Sequence, residues 1–241
     1  MYKILKAEKL ADMIYLMDVE APRVARHCMP GQFVIVKMDE KGERIPLTIC
    51  DYDREAGTIT IVFQTVGAST HKMATLKAGD SFRDFTGPLG CPSELVEEDL
   101  DTLKKKKILF VGGGVGAAPV YPQVKWMHEH GIDVDVIIGS KTKDMLLLEE
   151  EMKAVAGNYY PCTDDGTYGH AGMVTSMIEE LHAQGNRYDV CVAIGPMIMM
   201  KFVCLLTKKL EIPTIVSMNP IMVDGTGMCG ACRLHVGDEI K

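Results

Sequence analysis

Long hydrophobic runs are missing from this sequence: nowhere do the roughly 18 consecutive apolar residues of a membrane helix occur. Met1 to Leu10 alternates apolar side chains with Lys and Glu, without the apolar segment of a leader. We therefore expect an unprocessed chain with no membrane association. A basic excess is missing too. The 26 Lys and Arg face 33 Asp and Glu, a net charge of −7, which leaves no positive footprint for a phosphate backbone and makes nucleic acid an unexpected partner. Aromatics are scarce, with one Trp, and eight cysteines in 241 residues are too few for a disulfide scaffold. Cys28, Cys50, Cys91, Cys162, Cys191 and Cys204 stand alone and read as small core hydrophobes of a protein kept in a reducing cytoplasm. Only Cys229 and Cys232 form a pair. What is present is a 47% apolar composition, sufficient for one large core or two modest ones. Met197, Met199 and Met200 fall on an expected helix and read as core packing.

The pattern divides the chain in three. Over residues 1–95 it has period two and is broken by turns. Ile59, Ile61 and Phe63 alternate with Thr58, Thr60 and Gln64, and the only helical stretch expected is near Ser69 to Leu76. An antiparallel β-barrel or sandwich follows. The charged stretch Glu94 to Lys107 places the boundary, and its run Lys104-Lys105-Lys106-Lys107 reads as a solvated lead-in rather than a binding patch. Residues 96–219 then alternate strands with helices. Strands are expected at Ile108 to Val111, Ile132 to Ile138, Asn158 to Thr163, Tyr188 to Ile194 and Pro213 to Met218. Helices are expected after the first glycine turn and near Asp144 to Val155, Met173 to Gln184 and Met197 to Leu210. This is the grammar of a doubly wound α/β domain with a parallel sheet. Residues 220–241 are glycine-rich, too short for a core of their own, and carry the cysteine pair.

Gly112-x-Gly114-x-x-Ala117 follows a strand and opens a helix, the setting in which backbone N–H groups receive a pyrophosphate, although tight strand-to-helix turns are rich in glycine in any case. Gly195-Pro196-Met197 repeats the setting at the end of the fourth strand, which would flank the same crevice. After the second strand comes Ser140-Lys141-Thr142-Lys143 in place of a carboxylate for a ribose 2′-hydroxyl, so the residues leave NAD and NADP both open. Arg44-x-Pro46-Leu47-Thr48 and the turn Gly67-Ala68-Ser69-Thr70 carry a cation and hydroxyls of the kind that hold a flavin dinucleotide, though each alone is ordinary in a β-loop. In Asp224-Gly225-Thr226-Gly227-Met228-Cys229-Gly230-Ala231-Cys232, two cysteines sit among glycines whose backbone N–H groups can face sulfur, which suits an iron–sulfur cluster or zinc. Asp224 stands where the plant-type C-x4-C-x2-C spacing begins, a harder but usable iron donor. A thioredoxin-like pair would open a helix, which this loop does not, and we read a 2Fe-2S cluster. Its fourth ligand is expected roughly a dozen residues after Cys232, beyond Lys241 or on another chain.

Together these motifs resemble the ferredoxin–NADP reductase superfamily over essentially the whole chain. Within it the chain is similar to two groups: electron-transfer subunits of dihydroorotate dehydrogenase, and small subunits of the NADH-dependent reduced ferredoxin:NADP oxidoreductases, also known as sulfide dehydrogenase subunits. Asp224 discriminates, being cysteine in the first group and aspartate in the second, and the run from Asn219 to Gly230 also looks like the second. The resemblance implies that Arg44, Pro46, Leu47 and Thr48 contact FAD, with Val62, Phe63 and Gln64 beside the flavin and Gly67, Ser69 and Thr70 at its diphosphate. It implies a nicotinamide nucleotide along Gly112, Gly113, Gly114, Val115 and Gly116, near Asp164, Asp165, Gly166, Gly195, Pro196 and Met197, and a cluster on Asp224, Cys229 and Cys232. NAD(H) is the implied coenzyme, with NADP(H) left open by the Ser140 loop. The expected protein is an NAD(P)H-dependent flavin oxidoreductase subunit that moves electrons between NAD(H), FAD and a 2Fe-2S cluster and needs no acid–base side chain. It would work in an electron-bifurcating complex with a larger flavin and iron–sulfur subunit, and reach ferredoxin indirectly. The alternatives are the dihydroorotate dehydrogenase role and a non-catalytic, zinc-bearing regulatory or scaffold subunit.

Overall fold

A computed structural model describes residues 1–218 and 221–240. Asn219 and Pro220, at the expected junction with the cysteine lobe, and Lys241 lie outside the described residues. Seven strands form the first sheet: β1 (Tyr2–Ala11), β2 (Ile14–Glu20), β3 (Phe33–Lys37), β4 (Ile45–Asp53), β5 (Thr58–Gln64), β6 (Ser81–Phe82) and β7 (Asp84–Leu89). They pair antiparallel in the order β6-β1-β2-β5-β4-β3-β7, a nearly closed barrel. The alternation in β5 sends Ile59, Ile61 and Phe63 into the barrel core beside Ile4, Val34, Val36 and Phe85. Two short helices, α1 (Pro22–His27) and α2 (Ala68–Met73), plug the barrel with Val24, Ala25 and Met73. Six residues are too few to establish a helical period, so α1 left no trace in the sequence pattern.

In the charged stretch after the barrel, Lys104, Lys105 and Lys107 are exposed, while the segment before them contributes to the core. A 3-10 turn over Glu94–Glu97 and the helix α3 (Leu100–Leu103) bury Leu95, Val96 and Leu103. Asp99 caps that helix by accepting the Thr102 amide at 3.0 Å. The buried residues are few and widely spaced among charges, which hides them from a composition reading.

The second sheet is parallel, with strands β8 (Ile108–Gly113), β9 (Asp135–Ser140), β10 (Asn158–Thr163), β11 (His170–Ala171), β12 (Val190–Ile194) and β13 (Thr214–Val216) in the order β11-β10-β9-β8-β12-β13. Helices α4 (Ala117–Glu129) and α5 (Glu149–Val155) cover one face, and α6 (Val174–Ala183) and α7 (Met197–Lys209) the other. Both central strands, β8 and β12, are buried at every position, as continuous apolar runs in a doubly covered sheet must be. Two boundaries differ from expectation. β9 starts at Asp135, because Ile132 and Val134 are buried in the loop before it. The helix expected from Asp144 starts at Glu149, because Leu148 adopts a left-handed φ of +55° and interrupts it.

The two domains share a core. Ala11, Ile14, Leu16, Cys50 and Val62 of the barrel pack in one cluster with Ala117, Ala118, Tyr121 and Trp126 of α4. At its rim Lys125 of α4 pairs with Asp51 of β4 at 2.7 Å. The cysteine lobe ends in a small antiparallel hairpin, β14 (His235–Val236) and β15 (Glu239–Ile240), and its loop docks on the barrel. Gly225 lies so close to β3 that a Cβ there would be 2.3 Å from Ile35 Cδ1. Among the described residues no helix is long and apolar enough to cross a membrane.

Candidate functional site

Chain order in the parallel sheet runs from β8 outward through β9, β10 and β11, then returns to the other side of β8 as β12 and β13. The reversal lies between β8 and β12, the place where open α/β sheets take ligands. Gly112 is paired with Ile194 across this gap. Beyond it each strand passes almost at once into a 13-residue helix, α4 or α7. The two turns touch. A Cβ on Gly116 would sit 2.2 Å from the Ile194 carbonyl oxygen, one on Gly195 3.1 Å from Gly113 N, and one on Gly113 2.3 Å from Met199 Sδ. Gly112 is crowded in the same way by Ile138, at 2.6 Å. Gly114 is different: its φ is +53° and a Cβ there would meet nothing within 4 Å. Close packing thus accounts for Gly112, Gly113, Gly116 and Gly195, while Gly114 presents bare backbone to open space. The N-termini of α4 and α7, neither with a side-chain cap, converge on this crevice, so unpaired N–H groups and two positive dipole ends face it. Pro196 is the N-cap of α7, Met197 stands exposed beside it, and Val115 packs on the shared core.

Asp164, Asp165 and Gly166 form the turn after β10, two strands from β8, which is about 10 Å across a sheet. The Asp164 amide donates to the Ser140 carbonyl at 3.0 Å, which ties this turn to the end of β9. The Thr167 hydroxyl and amide, at 2.7 and 3.0 Å, hold the Asp165 carboxyl below the usual carboxylate range. The Ser140 hydroxyl donates to the Thr142 carbonyl at 2.7 Å, so it serves its own turn.

Pro46 and Thr48 lie two residues apart in β4 and so share its face outside the barrel, and Arg44, immediately before the strand, continues the same alternation. Cross-strand pairing puts Pro46 beside Ile35 and Thr48 beside Phe33. Leu47 points the other way, against the barrel core. Val62 belongs to the core shared by the domains, Phe63 is buried against Tyr15 with ring centroids 5.8 Å apart, and Gln64 is exposed at the end of β5. Arg44, Pro46, Gly67, Ser69 and Thr70 line one open cavity with Glu43. Arg44 makes no hydrogen bond or ion pair with the described residues, so an unpaired guanidinium faces this cavity, and the residue types fit a dinucleotide's diphosphate. Thr70 is committed elsewhere. Its hydroxyl accepts the amides of Val66 and Gly67 at 2.9 and 3.1 Å and donates to the Gly67 carbonyl at 3.0 Å.

The lobe's loop turns through Gly225, Gly227 and Gly230, with left-handed φ of +72°, +84° and +60°. It curls until Asp224 accepts the Thr226 and Cys229 amides at 2.8 and 3.0 Å, which hold its carboxyl below the usual range. One carboxylate and two thiols in a glycine loop have the donor chemistry of iron–sulfur or zinc ligation. Asp224 and Cys229 are brought side by side, but among the described residues no group of three His, Cys, Asp or Glu is placed to hold a metal ion. Sequence reasoning missed Glu43, which faces the Arg44 cavity, and Met199, which fills the space beside Gly113 and Gly195. A lone acid in a charged loop gave no signal, and Met199 had been assigned with Met197 and Met200 to the core; only Met200 is fully buried.

Comparison with known proteins agrees with this architecture. Residues 110–205, which include both glycine turns, match the family described as an oxidoreductase NAD-binding domain. An uncharacterized Clostridium beijerinckii protein from the adh 3′ region is 62% identical over all of this chain and 82% of its own length. The Thermotoga maritima homolog of the electron transfer subunit of dihydroorotate dehydrogenase B (NAD(+)) is 42% identical over 99% of this chain and 82% of its own length. A chain in the solved structure of an NADH-dependent reduced ferredoxin-NADP oxidoreductase, a study of flavin-based electron bifurcation, superimposes with a TM-score of 0.91 at 40% identity. That match covers all of this chain and 84% of the other.

Proposed function

The chain belongs to the family of electron-transfer subunits that includes those of the NAD(+)-dependent dihydroorotate dehydrogenases B, and is an NAD(P)H-dependent flavin oxidoreductase subunit; from that premise we propose that it carries electrons between NAD(H) and a larger partner subunit through FAD and a 2Fe-2S cluster. The observation that carries the reading is the match over the whole chain, at a TM-score of 0.91, to the oxidoreductase studied for electron bifurcation. Asp224, in place of the cysteine of dihydroorotate dehydrogenase subunits, favours a bifurcating complex, in which ferredoxin is reached through the partner. A reducing cytoplasm, where the eight cysteines stay unpaired, suits this role.

Bound FAD would supply the exchange between a two-electron hydride and single electrons. The chain's own residues bind, orient and shield. Arg44 would pair with the FAD diphosphate, while Pro46 and Thr48 continue the same strand face as a wall and a hydroxyl. The N-termini of α4 and α7 would hold the coenzyme's diphosphate in the crevice, with Gly114 allowing its closest approach. Asp224, Cys229 and Cys232 would hold the cluster, completed by a fourth ligand from outside the described residues. The contact of Gly225 with Ile35 keeps that loop beside the strand face that carries Pro46 and Thr48.

The test is an anaerobic NADH titration of the purified chain followed by visible and EPR spectroscopy, with iron and zinc analysis. Flavin bleaching with the signal of a reduced 2Fe-2S cluster is the expected result. Zinc without flavin would replace this reading with a scaffold role. Asp224→Cys separates the two complexes: it would leave a dihydroorotate dehydrogenase subunit working and would impair coupling in a bifurcating one.

A further inference from the structure

The connection between β3 and β4, residues 38–44, is strapped to α2 by two carboxylates. Asp39 pairs with Lys72, and Glu43 accepts a hydrogen bond from the Ser69 hydroxyl. Because Thr70 is spent on its own turn, Ser69 carries the one α2 hydroxyl that points to a partner outside the turn, and that partner is an anion. Next in the chain, Arg44 stays unpaired in the same cavity of about 270 Å³. A carboxylate therefore sits on the donor that a diphosphate in this cavity would need, while the cation suited to that diphosphate is left free. Two anions at hydrogen-bond distance from one hydroxyl repel each other, so both cannot stay.

We propose that Glu43 is a built-in stand-in for the FAD diphosphate: it holds Ser69 when FAD is absent, is displaced when FAD binds, and so sets how tightly the flavin is held. The inference rests on the FAD reading of this cavity and goes beyond it, because Glu43 is assigned a role opposed to binding. The charge matters more than the hydrogen bond. Neutralising it removes a repulsion that FAD must otherwise overcome, while the exposed position of Glu43 leaves the barrel core untouched.

The experiment uses the full chain stripped of flavin and titrated with FAD, followed by quenching of FAD fluorescence, for wild type, Glu43→Gln, Glu43→Ala and Ser69→Ala. Both Glu43 variants should bind FAD about tenfold more tightly, equivalent to ~1.4 kcal/mol. Ser69→Ala should bind more weakly, and adding Glu43→Ala to it should recover less than it gains in wild type, since the contested hydroxyl is gone. A second readout is trypsin cleavage after Lys41, which should be faster in flavin-free Glu43→Ala than in flavin-free wild type because one of the strap's two ties is lost and only Asp39–Lys72 remains. Unchanged or weaker FAD binding by both Glu43 variants overturns the proposal and leaves the FAD reading standing. A wild-type chain that binds no FAD removes the reading and the proposal together.

Discussion

Replacing Gly116 by Ala tests whether the crevice glycines serve packing or ligand. Gly116 has φ −60° and ψ −14°, a conformation alanine adopts freely, so any cost is steric. The new Cβ would lie 2.2 Å from the Ile194 carbonyl oxygen, 2.8 Å from its carbon and 2.9 Å from Gly195 Cα, where ordinary contact begins near 3.4 Å. Relief needs a shift of about 1 Å between β8 and β12, and both neighbours are backbone at the centre of a sheet. Overpacking of this kind costs about 3 kcal/mol. At about 2 to 4 °C per kcal/mol for a chain of this size, the melting temperature should fall by about 6 to 12 °C. Gly114→Ala should behave in the opposite way. Its left-handed φ costs about 1 kcal/mol, partly offset by a stiffer unfolded chain, but the Cβ enters the open space assigned to the coenzyme. Melting should move by only a few degrees while NADH affinity drops. Differential scanning calorimetry and NADH titration calorimetry on both variants decide the matter. A Gly116→Ala protein that melts within about 2 °C of wild type would refute the close approach of the two turns, and a Gly114→Ala protein that binds NADH normally would refute the placement of the coenzyme.

Asp135, buried at the opposite end of the sheet, accepts the buried Tyr188 hydroxyl at 2.6 Å and the amide of the exposed Asn158 at 2.7 Å, so Asp135→Ala orphans one buried donor and should cost about 2 kcal/mol, read as a lower urea midpoint with an unchanged m-value. Burial pushes the Tyr121, Tyr159 and Tyr188 phenols up, Tyr188 also through Asp135, and takes Tyr52 up to about 12. Tyrosines of the unfolded chain ionise near 10, so this contribution is fully present below pH 10 and is lost as the pH rises from there toward 12; melting temperatures that stay flat from pH 9 to 11 would contradict it. Burial also pushes the Cys28 thiol up to about 11 and those of Cys162 and Cys191 up to about 12, so iodoacetamide at pH 8 should label Cys91 and metal-free Cys229 and spare Cys28, Cys50, Cys162 and Cys191 until the chain unfolds, as peptide mass spectrometry will show.

The sequence pattern was most readable where one physical demand acts alone. The alternation in β5 and the apolar runs of β8 and β12 answer only to burial. It failed where tertiary contacts choose the conformation. α1 is held by Val24 and Ala25 against the barrel, and the break at Leu148 is set by the path between β9 and α5, and neither leaves a local signature. At the site, the two glycine turns could be found because backbone contact demands glycine. Leu47 and Phe63 were grouped with their neighbours by motif, yet strand alternation turns them into the barrel while Arg44, Pro46 and Thr48 face out. Glu43 had no chance of being noticed, since only the fold brings it to Ser69.

The wall that Ala11, Ile14, Leu16, Cys50 and Val62 build with α4 bears on how such chains can be recombined. A gene cut near residue 95 would leave two pieces, each with a bare apolar flank, and swapping in a nucleotide module from a distant relative would graft a helix whose surface was shaped for another barrel. Exchange of coenzyme preference by recombination must therefore carry the outer face of α4 along with the barrel or rebuild it, whereas point changes around Ser140 and Asp165, on turns away from that wall, are free to drift.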